Sequence, residues 1–362
     1  MKKNLIITAS VLMISLIIFG VIFVYNQGKS STNNLIPTTQ NQSNPTPTQQ
    51  SQRVNNITSS PIFDYWMSSD SMMYTINQSG QIQKQTPGAQ EVVSTQIISA
   101  LNRLYSAPDG NKIIARFNYP QHPIFSIFLI GENTWEPLPQ NTLAAAWSLD
   151  SKKIIYLESK NSGGMIKILD LATRKTQDVV GFNQRDVALD WIKELELLIT
   201  INTPSIDFPS SIWSLNLKTK ALKPIIREES GLSFIWSKEN GVGLKLTSLK
   251  QKPILSLIDE NFDTLTNLSF VTLPEKCVIA QKQIFCAVPQ NIPDGTRLPD
   301  DYYKKAVYFQ DNIYRFDLTS GGITTLLENN STPIDAMQLS IKDGKELFFI
   351  NRYDSKLYSL PL

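Results

Sequence analysis

Between Ala146 and Leu171 the chain alternates short apolar runs with polar turns. Trp147-Ser148-Leu149-Asp150-Ser151 closes one run. Asp and Ser hydrogen-bond backbone groups within a turn, so such clusters separate strands. Lys153 to Leu157 is β-rich and mostly apolar, the pattern of a strand buried on both faces. Gly163-Gly164 breaks it, Ile166 to Leu171 starts a third strand, and Gln177 to Val180 supplies a fourth.

The unit repeats. Trp147, Trp191 and Trp236 are spaced 44 and 45 residues apart, and Tyr105 precedes the first by 42. The third-strand pattern recurs as Ile166–Leu171, Ile212–Leu217 and Ile313–Leu318, each followed by a short polar turn. A period near 40–45 residues with four short strands per unit marks a propeller blade. One such sheet cannot bury both faces alone, whereas a closed ring of them can. The fold class expected is therefore all-β, a β-propeller of about seven four-stranded blades, with six or eight as the alternatives. The blades fall at Phe63–Ser94, Ile97–Pro139, Leu143–Val180, Val187–Ile226, Leu232–Val271, Lys276–Leu327 and Asp335–Leu362. The seventh stops after three strands, and Arg53 to Ser60 is expected to close the ring as its fourth, leaving no open edge.

Tyr105-Ser106-Ala107-Pro108-Asp109-Gly110-Asn111-Lys112-Ile113-Ile114 resembles the W-S-P-D-G-x-x-I signature of TolB-type propellers. Trp147 to Ile155 resembles it as well, with Leu149 where Pro is usual and Ser151 where Gly is usual. The resemblance covers most of residues 61–362 and concerns the blade architecture more than any activity. Related blades occur in periplasmic scaffold proteins and in the non-catalytic propellers of prolyl-oligopeptidase-like peptidases.

Ahead of the blades, Lys2-Lys3 precede an apolar run, Leu5 to Tyr25, that contains no charge. It is long enough to span a bilayer as a helix. The reading is a retained signal-anchor, the alternative a cleaved secretory signal. The flanking lysines place residues 1–4 in the cytoplasm and the propeller outside it. Asn26 to Ser60, rich in Asn, Gln, Ser, Thr and Pro, reads as a disordered tether. The partners expected are the membrane and an envelope protein or glycan. The formal charge of +2 gives no reason to expect nucleic acid.

Cys277 and Cys286 are the two cysteines. If Gln281-Lys282 is a two-residue hairpin turn, alternation brings these cysteines opposite each other at a non-hydrogen-bonded position. There a disulfide can bridge the strands. Two buried free thiols are the other reading. Two cysteines and the single histidine, His122, are too few for a metal site, and no cofactor is expected. The chain has no G-x-S-x-G elbow, P-loop, dinucleotide fingerprint or H-E-x-x-H. No catalytic residue is therefore assigned.

The most individual segment is the blade-six insertion, Val288 to Lys304. Long loops on rigid scaffolds concentrate function. Asp294, Arg297, Asp300, Asp301, Tyr302 and Tyr303 are its candidate binding residues, the tyrosines for stacking and the acids for polar groups or a cation. The leading function is a binding or scaffolding module of the cell envelope. The alternative is a glycan-active hydrolase or lyase with acidic residues from several blades meeting in the funnel. Two facing carboxyls there would support the enzyme; an apolar or loop-covered face would support binding.

Overall fold

A computed structural model describes residues 54–86, 89–160, 163–329 and 332–362. The Leu5–Tyr25 run and most of the polar stretch after it lie outside the described residues. Among those described, no helix is long and apolar enough to cross a membrane.

The described residues form seven four-stranded antiparallel sheets, the count expected from the repeat. Blade one is built from Asp64–Met67, Met73–Ile76, Ile82–Thr86 and Ala89–Ser94. Blade two comprises Leu101–Ser106, Lys112–Phe117, Ile124–Leu129 and Thr134–Pro137. Blades three to six follow the same meander, starting with Thr142–Trp147, Val187–Lys193, Ser233–Ser237 and Cys277–Ala280. Blade seven has Ala336–Lys342, Glu346–Asn351 and Lys356–Pro361. Its fourth strand, Asn55–Asn56, comes from the other end of the chain and pairs Asn55 with Ser359 and Asn56 with Tyr358. The hydrogen bonds Ile57 N to Leu357 O and Leu357 N to Thr58 Oγ1 extend the closure. The ring therefore seals as the truncated seventh blade implied.

Burial explains why the strands are apolar on both faces. Along Lys153–Lys160, Ile154 and Tyr156 pack toward blade two, while Ile155 and Leu157 pack toward blade four. Period-two alternation thus feeds two different cores, one on each side of the blade. Each neighbouring pair of blades shares one such cluster, including the seventh with the first, where Phe348 and Ile350 meet Ile62 and Tyr65.

The recurrent turn residues act locally. Asp150 accepts hydrogen bonds from Ser148 Oγ (2.6 Å) and Lys152 N (3.1 Å). Asp109 accepts from Asn111 N and pairs with Lys112 at 2.7 Å. Asp170, Asn216 and Asp317 repeat one cap after the third strand of their blades, each accepting backbone N–H groups two or three residues on. Neighbouring turns are also stitched together, as in Asp109 N to Ser151 Oγ and Trp147 Nε1 to Tyr105 O, each 42 residues apart.

In blade six the predicted hairpin is present. Gln281 and Lys282 both have positive φ, as a type I′ turn requires. The register runs Ala280–Gln283, Ile279–Ile284, Val278–Phe285, Cys277–Cys286, and the two cysteines form a disulfide with Cα atoms 4.1 Å apart.

Candidate functional site

Among the described residues, first strands of blades two, four and five, with inner residues of the second and third strands of blade four, line a cavity of about 380 Å³. Blade two contributes Arg103 and Tyr105, blade four Ala188–Asp190, and blade five Ser233–Trp236. Blade six contributes differently. Its first strand is short, and a single 3-10 turn, Pro274–Lys276, runs into it. Pro274 and Glu275 thereby face the cavity, and Tyr303 joins them from the insertion.

A buried ion network sets that turn in place. Lys276, Asp311 and Asp335 are wholly inaccessible to solvent. Lys276 Nζ donates to Asp311 Oδ2 at 2.7 Å and also to Asp335. Arg352 donates to Asp335 at 2.6 Å and to the Tyr302 carbonyl at 3.2 Å, with its guanidinium over the Tyr302 ring. Burial pushes the Asp311 carboxyl up to about 6, opposed chiefly by the Lys276 charge. One of its oxygens, Oδ1, has no hydrogen-bond partner.

The insertion divides its labour. The short helix Asp300–Tyr303 lies beside blade five and is tied to the blade-four loop. Asp300 is buried and accepts from Ser205 Oγ (2.7 Å) and Ile206 N (2.8 Å). Arg297 pairs with Asp207, and Asp301 accepts from Arg297 N at 2.8 Å. Gly231 is required beneath this contact. Its φ is +65°, and a side chain there would press on Ile206, Pro299 and Ser248 at 3.2–3.3 Å. Tyr302 is buried, stacked on Phe309. Asp294 is exposed. Of the six candidate residues, the structure brings Tyr303 alone to the cavity. The adjacent aspartates bond to different partners, Asp300 to the blade-four loop and Asp301 to Arg297 N. His122 sits on an exposed loop, its backbone bonded to Asn118.

The cavity residues are electrostatically coupled. Glu275 is held above the usual carboxylate range by burial, with Arg103 and the Tyr303 hydroxyl opposing. Burial, then the Glu275 charge, drives the Tyr303 hydroxyl well up. Asp64, at the start of blade one, is raised to about 7 by burial, against the Tyr65 N–H it accepts and the Arg103 charge. Arg103 is exposed to solvent, and Asp64 and Glu275 are half-buried. The second arginine, Arg116, is committed to structure. It donates to Asn102 (2.8 Å) and Asn202 (3.0 Å) and lies over the Tyr119 ring.

Sequence reading missed Arg103 and Glu275. Neither sits in a motif; the only signal was that Arg103 lies in a first strand, two residues before the blade-signature Tyr105.

No protein-family model matches the sequence, and no curated protein matches it. Solved structures do resemble it in fold. An oligogalacturonate lyase in complex with manganese superposes with TM-score 0.60 at 10% identity, covering 87% of this chain and 94% of that one. The oligogalacturonate lyase of Vibrio parahaemolyticus gives TM-score 0.60 at 7% identity with the same coverage. The tricorn protease gives 0.54 at 10% identity over 88% of this chain and 34% of its own. TolB from Acinetobacter baumannii aligns at 0.38 with 12% identity over 85% of this chain and 65% of that one, too loose a superposition to argue from. At these identities the likeness establishes the class, a seven-bladed β-propeller, and nothing about chemistry. Among the described residues no group of three or more His, Cys, Asp or Glu side chains is arranged to hold a metal ion.

Proposed function

We propose that this chain is a membrane-anchored, extracytoplasmic propeller that binds or scaffolds another component of the cell envelope, protein or glycan. The observation that carries the reading is the make-up of the central cavity. Its lining has two carboxylates, and Asp190 is already paired with Lys238 at 3.0 Å. The other, Glu275, has the Tyr303 hydroxyl against it and sits among Tyr105, Phe234 and Trp236. Aromatic rings around a few polar groups suit recognition, whereas glycoside hydrolysis ordinarily needs two carboxyls flanking the bond. The insertion standing over blade five, with Tyr303 in the cavity, supports binding in the same way. The membrane assignment rests on the Leu5–Tyr25 run and the lysines before it.

The test is crosslinking of the tagged full-length chain in intact cells, followed by identification of captured proteins and glycans, beside a Tyr303→Ala chain. A specific envelope component held by the parent and diminished in the variant is the expected result. Capture of nothing by either chain would overturn the reading. Shortened products from purified envelope glycans would move it to the glycan-active enzyme.

A further inference from the structure

We propose that Lys276 and Asp311 condense in the folded chain to an isopeptide bond, with Asp335 as the base, so that an amide clamps the segment carrying the blade-six insertion. This goes beyond the binding-module reading and does not depend on it.

The first observation is placement. Lys276 ends the 3-10 turn before the first strand of blade six, Asp311 opens that blade's third strand, and Asp335 precedes the first strand of blade seven. None of the three side chains meets solvent. Lys276 Nζ donates to Asp311 Oδ2 at 2.7 Å and to Asp335 Oδ1, with the Tyr302 and Phe309 rings each 5.3 Å away. Folding thus holds an amine against a carboxyl in a site closed to water. Such alignment is equivalent to a local concentration of about 10⁵–10⁸ M. An ion pair sealed from water becomes amine and acid by passing one proton between its members, and burial already pushes the Asp311 carboxyl up.

The second observation is that the two carboxyls are held differently. Asp335 is anchored through Oδ2 by Arg352 Nη1 at 2.6 Å and Phe309 N at 3.1 Å, which leaves Oδ1 on Lys276 Nζ, placed to take its proton. Asp311 Oδ2 accepts the Ala336 N–H at 2.7 Å, a donor that stabilises negative charge developing on that oxygen. Asp311 Oδ1 is buried with no hydrogen-bond partner, and it is the oxygen that departs.

The step balances without an added reagent. One proton moves from the Lys276 ammonium to Asp311 Oδ1, and the Nζ–Cγ bond forms. Nζ gives a second proton to Asp335, which returns it to the departing hydroxyl. The Cγ–Oδ1 bond breaks, one water leaves, and nothing is oxidised or reduced. The remaining N–H stays on Asp335 and the remaining oxygen on Ala336 N. Two buried charges and one unpaired buried oxygen are removed. The ion network is the reactant, and chain studied before linking retains its four charges.

The full-length chain, purified in detergent and aged while folded, is reduced, denatured, digested with trypsin and sequenced by mass spectrometry. The expected product is a branched peptide joining Lys276 to Asp311, lighter than its two parts by one water and uncut after Lys276. Asp311→Ala should form no link, and Asp335→Asn, checked for folding by circular dichroism, should link at least about a hundredfold more slowly. Recovery of Lys276 and Asp311 only in separate peptides from the aged, folded parent overturns the proposal. So does a link from Lys276 to Asp335, or linking of folded Asp335→Asn at the parental rate. The parent digest decides the bond even where a variant misfolds, and neither result bears on the crosslinking experiment in cells.

Discussion

Replacing Lys276 by Met should destabilise the ring, and the penalty should depend on pH. Met fits the space, since Lys276 Nζ lies 5.3 Å from the centroids of both Tyr302 and Phe309. The loss is of charge. Asp311 keeps the Ala336 N–H on Oδ2 at 2.7 Å but loses its cation, while Asp335 keeps Arg352. Removing one member of a fully buried ionic group typically costs about 3–5 kcal/mol, because the remaining charge is left uncompensated. Asp311 can escape by binding a proton, its carboxyl being already raised to about 6 with Lys276 present. In the parent, the folded state holds that proton more tightly than the unfolded chain. Asp311 therefore favours folding below about pH 4, and this contribution is lost as pH rises through about 6. Without Lys276 the window extends upward. At pH 8 the full penalty should appear, lowering Tm by roughly 6–10 °C at about 2 °C per kcal/mol for a domain of this size. At pH 5 Asp311 is neutral in the variant, and the loss should shrink to the hydrogen bonds, about 1–2 kcal/mol. Melting of parent and variant at both pH values, by circular dichroism or calorimetry, reads the difference directly. Lys276→Met/Asp311→Asn should recover most of the loss at pH 8. An equal penalty at both pH values, or a variant as stable as the parent at pH 8, would refute the reasoning.

Other consequences follow from the same structure. Cys277→Ala/Cys286→Ala removes a crosslink of sequence separation 9 and should cost about 2.5 kcal/mol, seen as a lower urea midpoint that reductant no longer changes. A chain starting at Val54 should melt like the parent. One starting at Pro61 should lose about 2–4 kcal/mol, with the Asn55–Asn56 pairing and the packing of Val54 and Ile57; equal melting of the two would refute the closure. Asp64 is raised to about 7, so its stabilising contribution is present below about pH 4 and lost as pH rises through 7. Asp64→Asn keeps an acceptor for Tyr65 N and should stabilise by about 1–2 kcal/mol at pH 8, allowing for funnel water, but not at pH 4; equal effects at both would contradict it.

Much of the fold was legible because its determinants are local. The Trp147, Trp191 and Trp236 spacing counts blades, since each tryptophan belongs to a first strand whose register the next turn sets. The Asp109 and Asp150 turns bond within a few residues of themselves. The disulfide could be placed from alternation across one hairpin, and the closing strand from a seventh unit one strand short. The cavity obeys no such rule. Arg103 and Ser233 in first strands, Ser210 in a third strand and Glu275 in a 3-10 turn meet because the ring brings their blades together, whatever their separation along the chain. Within the insertion, neighbouring tyrosines part company, Tyr302 into the core under Arg352 and Tyr303 into the cavity, because one helical turn points successive side chains in different directions. Period and turn chemistry, read along the chain, determined the blades and how the ring closes. Which side chains meet at the axis, and which remain unpaired there, was decided only when seven blades packed into a circle.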